Sequence, residues 1–214
     1  MRRYFAIASI LVVAAAIGIS GCKGTWGVDF TTAKNIDDWY SYGDYDLGAS
    51  GLSLDNLSYV ESPVRFSGNF TLVLTFELIT APESLGHMEL FFTDGETYEH
   101  ETWVYFDDIA STGNVTFEVF EIDYMGGSEM LLTMDEPFEN LLRNDVNELT
   151  VEKVGIVYKF YLNGTLVQQC EKSDYYDSEY YNPSLYSEGW DRPSDGVVYK
   201  SITVDYDGRK LPAK

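Results

Sequence analysis

The sequence predicts an all-β chain folded as a two-sheet antiparallel β-sandwich, and three observations carry that reading. Residues Phe70 to Ile79 alternate, with Phe70, Leu72, Leu74, Phe76 and Leu78 on one face and Thr71, Val73, Thr75 and Glu77 on the other. Period two with β-branched and aromatic enrichment is a strand with one buried face. The run Ile156, Tyr158, Phe160, Leu162 stops at Asn163-Gly164 and returns through Thr165 to Gln169. Asn-Gly between apolar alternations signals a hairpin, because both central residues of a tight β-turn take positive φ. Against these runs, only Glu136 to Asp145 ("EPFENLLRND") reads as a helix, and a short one.

The N-terminus stands outside that fold. Arg2 and Arg3 precede an apolar run from Tyr4 to Ile19, closed by Ile19-Ser20-Gly21-Cys22. This is the layout of a secretory signal peptide, too short and wrongly flanked for a transmembrane helix. The closing tetrapeptide resembles the bacterial lipobox. That resemblance implies cleavage before Cys22, a diacylglyceryl group and an amine-linked acyl chain on Cys22, and attachment to the membrane through lipid. Lys23, rather than Asp, then points to the outer membrane or cell surface. One acyl chain holds only marginally, so several give a stable anchor. The chain divides into a signal peptide (1–21), a lipidated Cys with a weakly patterned tether (22–35), and one domain (36–214).

The remaining strands follow in order. Met88 to Thr93 stops at the turn pair Asp94-Gly95. Glu101 to Asp107 alternates, with Val104 and Phe106 on one face and Trp103 and Tyr105 on the other. Val115 to Tyr124, Leu149 to Val154 and Val197 to Tyr206 complete the set. Without the signal peptide the chain keeps enough residues for one domain with a real core. No internal repeat divides it.

Two stretches, "NELTVEKVGIVYKFYLNGTLV" (147–167) and "DGVVYKSITVDYDG" (195–208), together with the early "FSGNFTLVLTFEL", resemble the concanavalin A-like lectin/glucanase superfamily and its laminin G-like jelly rolls. The resemblance implies two stacked curved sheets, with the concave face and its edge loops as the binding region.

Charge removes whole classes of partner. Loss of Arg2 and Arg3 takes the formal net charge from −21 to −23. Such a surface repels phosphates, which excludes nucleic acid and leaves lipid as the attachment to membranes. Cations are its complement. Acid pairs at Asp37-Asp38, Asp44/Asp46, Asp174/Asp177 and Asp191/Asp195 offer oxygen ligands for Ca2+, although no spacing fixes a site. His87 and His100 lack any zinc-ligand pattern. Cys170 has no partner once Cys22 carries lipid and reads as a packed thiol at a strand end.

Two constellations suggest chemistry. In "FEVFEIDYMGG" (117–127), Glu121 and Asp123 share one face of a strand. Laminarinase-type members of the superfamily carry Glu-x-Asp-x-Glu or Glu-x-Asp-x-x-Glu there, the first Glu as nucleophile and the last as acid/base. Here the last position falls on Met125 or Gly126, so the acid that retaining hydrolysis needs is missing, with Glu129 the nearest substitute. Glu121 and Asp123 therefore read as weak catalytic candidates, or as ligands for sugar hydroxyls or a cation. Phe117 and Val119 share their face, which points to a bulge or a strand buried on both sides. The aromatic loops "DDWYSYGDYD" (37–46) and "DYYDSEYYNPSLYSEGW" (174–190) set Trp39, Tyr42, Tyr180, Tyr181 and Trp190 among Asp, Asn and Ser. Flat rings with a polar rim suit a sugar, a protein contact, or cover for the sandwich ends. Trp103 and Tyr105, on the non-core face of their strand, join them. The expected role is non-catalytic binding of a carbohydrate or a surface ligand. Glycoside hydrolysis and a structural, protein-binding role are the alternatives.

Overall fold

The computed structural model describes residues 23–55, 57–78, 87–93, 100–107, 114–123, 127–137, 142–143, 145–171, 180–187 and 197–213. Among these residues every regular element is a strand. In chain order they are β1 (Gly24–Asp29), β2 (Tyr40–Tyr42), β3 (Tyr45–Gly48), β4 (Gly51–Leu54), β5 (Ser58–Glu61), β6 (Val64–Phe66) and β7 (Phe70–Leu78). Then come β8 (His87–Thr93), β9 (His100–Asp107), β10 (Asn114–Asp123), β11 (Gly127–Pro137), β12 (Val146–Val154), β13 (Val157–Leu162), β14 (Thr165–Glu171), β15 (Asn182–Ser187), β16 (Val197–Tyr206) and β17 (Lys210–Pro212).

Fifteen of them form two antiparallel sheets, and β6 and β17 pair with each other as a separate two-stranded sheet. The first runs β14-β13-β12-β7-β16-β4-β3, with β1 also paired to β16, and the second runs β11-β10-β9-β8-β15-β5-β2. The sandwich that the alternation predicts is therefore the observed fold. β12 and β13 alternate buried and half-exposed residues along their length, as period two requires. At the hairpin between β13 and β14, Asn163 and Gly164 take φ of 53° and 79°, the left-handed pair that matches strand twist.

The core lies between the sheets. Leu72, Leu74, Leu149, Val151, Phe160 and Ile202 come from the first, and Val60, Leu90, Val119 and Leu185 from the second, all fully buried. Phe117 meets Phe160 edge-on across the gap, ring centres 5.5 Å apart. Each such side chain contributes about 1.5–3 kcal/mol of transfer free energy.

Two segments differ from their sequence reading. Glu136 and Pro137 end a strand rather than open a helix, and the described residues that follow wrap around one side chain. The Asn147 carboxamide, completely buried, accepts from the Arg143 and Asn163 nitrogens and donates to the Arg143 and Asp145 carbonyls. A side-chain amide thus satisfies the backbone groups that a helix would otherwise pair. The second difference concerns Gly24–Asp29, read as tether. It is a strand, in register with β16 from Gly24 opposite Tyr206 to Asp29 opposite Ser201. Trp26 and Val28 pack against the core, and Trp26 lies 5.6 Å from the Phe66 ring.

Candidate functional site

Three tyrosines meet at the β2 edge of the second sheet. Ser41 pairs with Val60, which is fully buried, so Tyr40 and Tyr42 fall on the side away from the core. They are 59 % and 61 % exposed. The Tyr42 ring stacks on Tyr59 of β5 with centres 5.8 Å apart and planes 23° apart, and Tyr40 lies tilted at 5.7 Å from the same ring. The result is an aromatic platform open to solvent. Large exposed rings are unusual enough to mark a contact surface when they cluster.

A polar patch adjoins it. Glu61, opposite Tyr40 in the register, is buried, and its carboxylate accepts a hydrogen bond from the amide of Asn182. Ser184, opposite Glu61 on β15, is also buried, and among the described residues its hydroxyl and the Asn182 side-chain oxygen have no hydrogen-bond partner. On β6, the Arg65 guanidinium sits 4.8 Å from the centre of the Tyr180 ring.

The register extends both rows across the sheet. Tyr42, Tyr59, Tyr186, Glu89, Tyr105 and Glu118 are successive partners. Tyr40, Glu61, Ser184, Phe91, Trp103 and Phe120 are the next row. Thus the strand positions of Trp103 and Tyr105 fall in the rows that carry the platform. Of their side chains, and of those of Glu121 and Asp123, the structure describes nothing; Cys22 and Trp190 lie outside the described residues.

Trp39, Tyr180 and Tyr181 do not have the exposure read into the aromatic loops. Trp39 is 6 % exposed and packs on Trp26 and Phe30, with ring centres 6.0 and 5.6 Å away. Tyr181 is buried against Phe70, with the Lys153 ammonium over its ring. Tyr180 is buried under Arg65. Within one aromatic stretch, Trp39, in the bend before β2, packs inward, while Tyr40, the first residue of β2, faces outward. Tyr40 and Tyr59 were missed as site residues. The Tyr-Ser-Tyr repeat is the local signal for Tyr40, but Tyr59 arrives only through the pairing of β2 with β5.

The acidic strand is β10. Its register with β11 shifts between Val119 and Phe120, while its pairing with β9 runs unbroken. Glu121 is the register partner of Glu129, the substitute carboxylate, and of Thr102. Its position has the same parity along β10 as Phe117 and Val119, both buried. Among the described residues no three His, Cys, Asp or Glu side chains gather as a metal site. Asp174, Asp177, Asp191 and Asp195 lie outside the described residues.

A concavity of about 480 Å³ opens where β1 and β7 begin and β12 and β16 end, between Lys23, Asn69, Glu152, Lys153, Val154 and Asp207. Its wall is braced: the Asp207 carboxylate accepts from the Asn69 backbone and side-chain nitrogens, and the Asn69 oxygen accepts from Gly155.

Solved structures place this architecture. A carbohydrate-binding module, CBM66 of Bacillus subtilis, aligns at TM-score 0.53 and 19 % identity over 81 % of this chain and 94 % of its own. The CBM2 module of the evolved Dit of Lactobacillus casei BL23 phage J-1 aligns at 0.66 and 10 % identity, over 87 % and 98 %. A Bacillus subtilis protein of unknown function with a galectin-like fold aligns at 0.62 and 12 %, over 89 % and 99 %. The fold is a galectin-like β-sandwich. The Crh5 transglycosylase shares it, at TM-score 0.57 and 15 % identity over 87 % of this chain and 86 % of its own. No protein-family model and no curated protein sequence matches the chain.

Proposed function

We propose that this chain is a lipid-anchored protein of the bacterial cell envelope that binds a neutral glycan, without turnover, on the Tyr40–Tyr42–Tyr59 face of its second sheet. The observation that carries the reading is the exposed tyrosine platform beside the Glu61–Asn182 pair. Aromatic faces stack on the C–H face of a sugar ring, and the buried Glu61–Asn182 pair ties β5, which carries Tyr59, to β15. Structural likeness to two carbohydrate-binding modules supports the same ligand class. A net charge of −21, carried with few cations, disfavours uronates, sialates and phosphorylated glycans. The lipobox-like Ile19-Ser20-Gly21-Cys22 supports the anchor.

Hydrolysis is the second reading, favoured by the register of Glu121 against Glu129 and by the transglycosylase likeness. The parity that Glu121 shares with two buried residues weighs against it.

A glycan array with soluble protein starting at Lys23, run with calcium and with chelator, tests both. Retained neutral glycan that Tyr42→Ala loses supports binding. Glycan released over time by the wild type but not by Glu121→Gln supports hydrolysis. A blank in both conditions refutes both readings and turns attention to protein partners.

A further inference from the structure

The anchor and the fold are joined by a single residue. β1 starts at Gly24, and all six of its residues are paired to β16. Thr25 donates to the Asp205 carboxylate, and Trp26 packs on Phe66 and Trp39. The strand is therefore fixed to the body from its first residue. Only Lys23 separates it from Cys22. Two residues span at most about 7 Å, far below the reach of an ordinary flexible linker.

We infer that the sandwich has no tether and is held in a fixed orientation against the membrane. The end carrying Lys23, Asn69, Val154 and Gly155 meets the lipid surface, and the Asn163-Gly164 turn points away. This rests on the proposed lipid at Cys22. The occupant of that end is the bilayer to which the chain's own N-terminus leads. Val154 borders the cleft beside Lys23 and is 53 % exposed, with its apolar side chain in solvent at the near end. Leu166, 51 % exposed, pairs with Tyr161 near the far end of β13. Because Val154 pairs with Val157, the two positions stand about four strand residues apart, or about 14 Å along the axis. The outer face of the second sheet, with its tyrosine platform, then stands beside the membrane rather than being carried away on a flexible arm.

The test uses the full chain, expressed with its signal peptide and purified in detergent. Cys170 is replaced (Cys170→Ser), and a fluorescent thiol label is placed at Val154→Cys or at Leu166→Cys. Both proteins go into phosphatidylcholine vesicles whose headgroups carry a nitroxide quencher, which acts over roughly the separation of the two sites. Quenching several-fold stronger at 154 than at 166, abolished by about twelve Gly-Ser residues inserted after Lys23, is the expected result; such a linker reaches about 20 Å. Equal quenching without the linker overturns the fixed orientation while the anchor stands. Failure of the unlabelled chain to float with vesicles, or flotation that survives Cys22→Ala, overturns the lipid anchor and the orientation with it.

Discussion

Replacing Trp39 with alanine separates a core residue from an exposed one. Trp39 is 6 % exposed and contacts the rings of Trp26 and Phe30. Truncating a buried Trp removes its transfer free energy and leaves a cavity, together about 3–5 kcal/mol. In a domain of this size each kcal/mol lowers the melting midpoint by about 2–4 °C, so Trp39→Ala is expected to lose about 6–20 °C. Its neighbour differs. Tyr42 is 61 % exposed, and Tyr42→Ala removes mainly one stacked contact with Tyr59, worth about 0.5–1.5 kcal/mol. The assay is thermal unfolding followed by circular dichroism, alongside urea titration with tryptophan fluorescence. If Trp39→Ala melts within about 2 °C of the wild type while Tyr42→Ala melts much lower, the assignment of inward and outward faces around β2 is wrong.

Other outcomes follow from single contacts. Glu61→Leu leaves the buried Asn182 amide without its carboxylate acceptor and is expected to cost about 1.5–3 kcal/mol in urea, whereas Glu61→Gln retains most of it. Gly51 has φ of +127°, and an added Cβ would collide with the Tyr199 carbonyl oxygen, so Gly51→Ala is expected to lose about 2 kcal/mol or more, read from the urea midpoint. The Asp29 carboxylate accepts from the Thr31 hydroxyl and backbone nitrogen, which hold its pKa below the ordinary 3.8. A lowered folded pKa gives stability that is present above the unfolded value and is lost as pH falls through the folded one. The melting difference between wild type and Asp29→Asn should therefore be constant above about pH 5 and shrink below 3.8; a difference that grows on acidification refutes the assignment.

The sequence by itself determined the class of the fold and much of its strand set. Phe70–Leu78 and the Val157–Glu171 hairpin declare themselves because period-two alternation and Asn-Gly turn chemistry are local properties. It also contained the apolar N-terminal run and the charge, which are read from composition alone. Tertiary structure decided what locality cannot encode. Gly24–Asp29 has two glycines in six residues and too short a pattern to stand out, and only its pairing with β16 makes it a strand. Trp39 and Tyr40 are adjacent aromatics in one acidic stretch, and the side each takes depends on β2 pairing with β5 rather than on either residue. The same pairing delivers Tyr59 to Tyr42 across 17 residues of chain, because a binding surface on a sheet is read across strands, while a sequence is read along them.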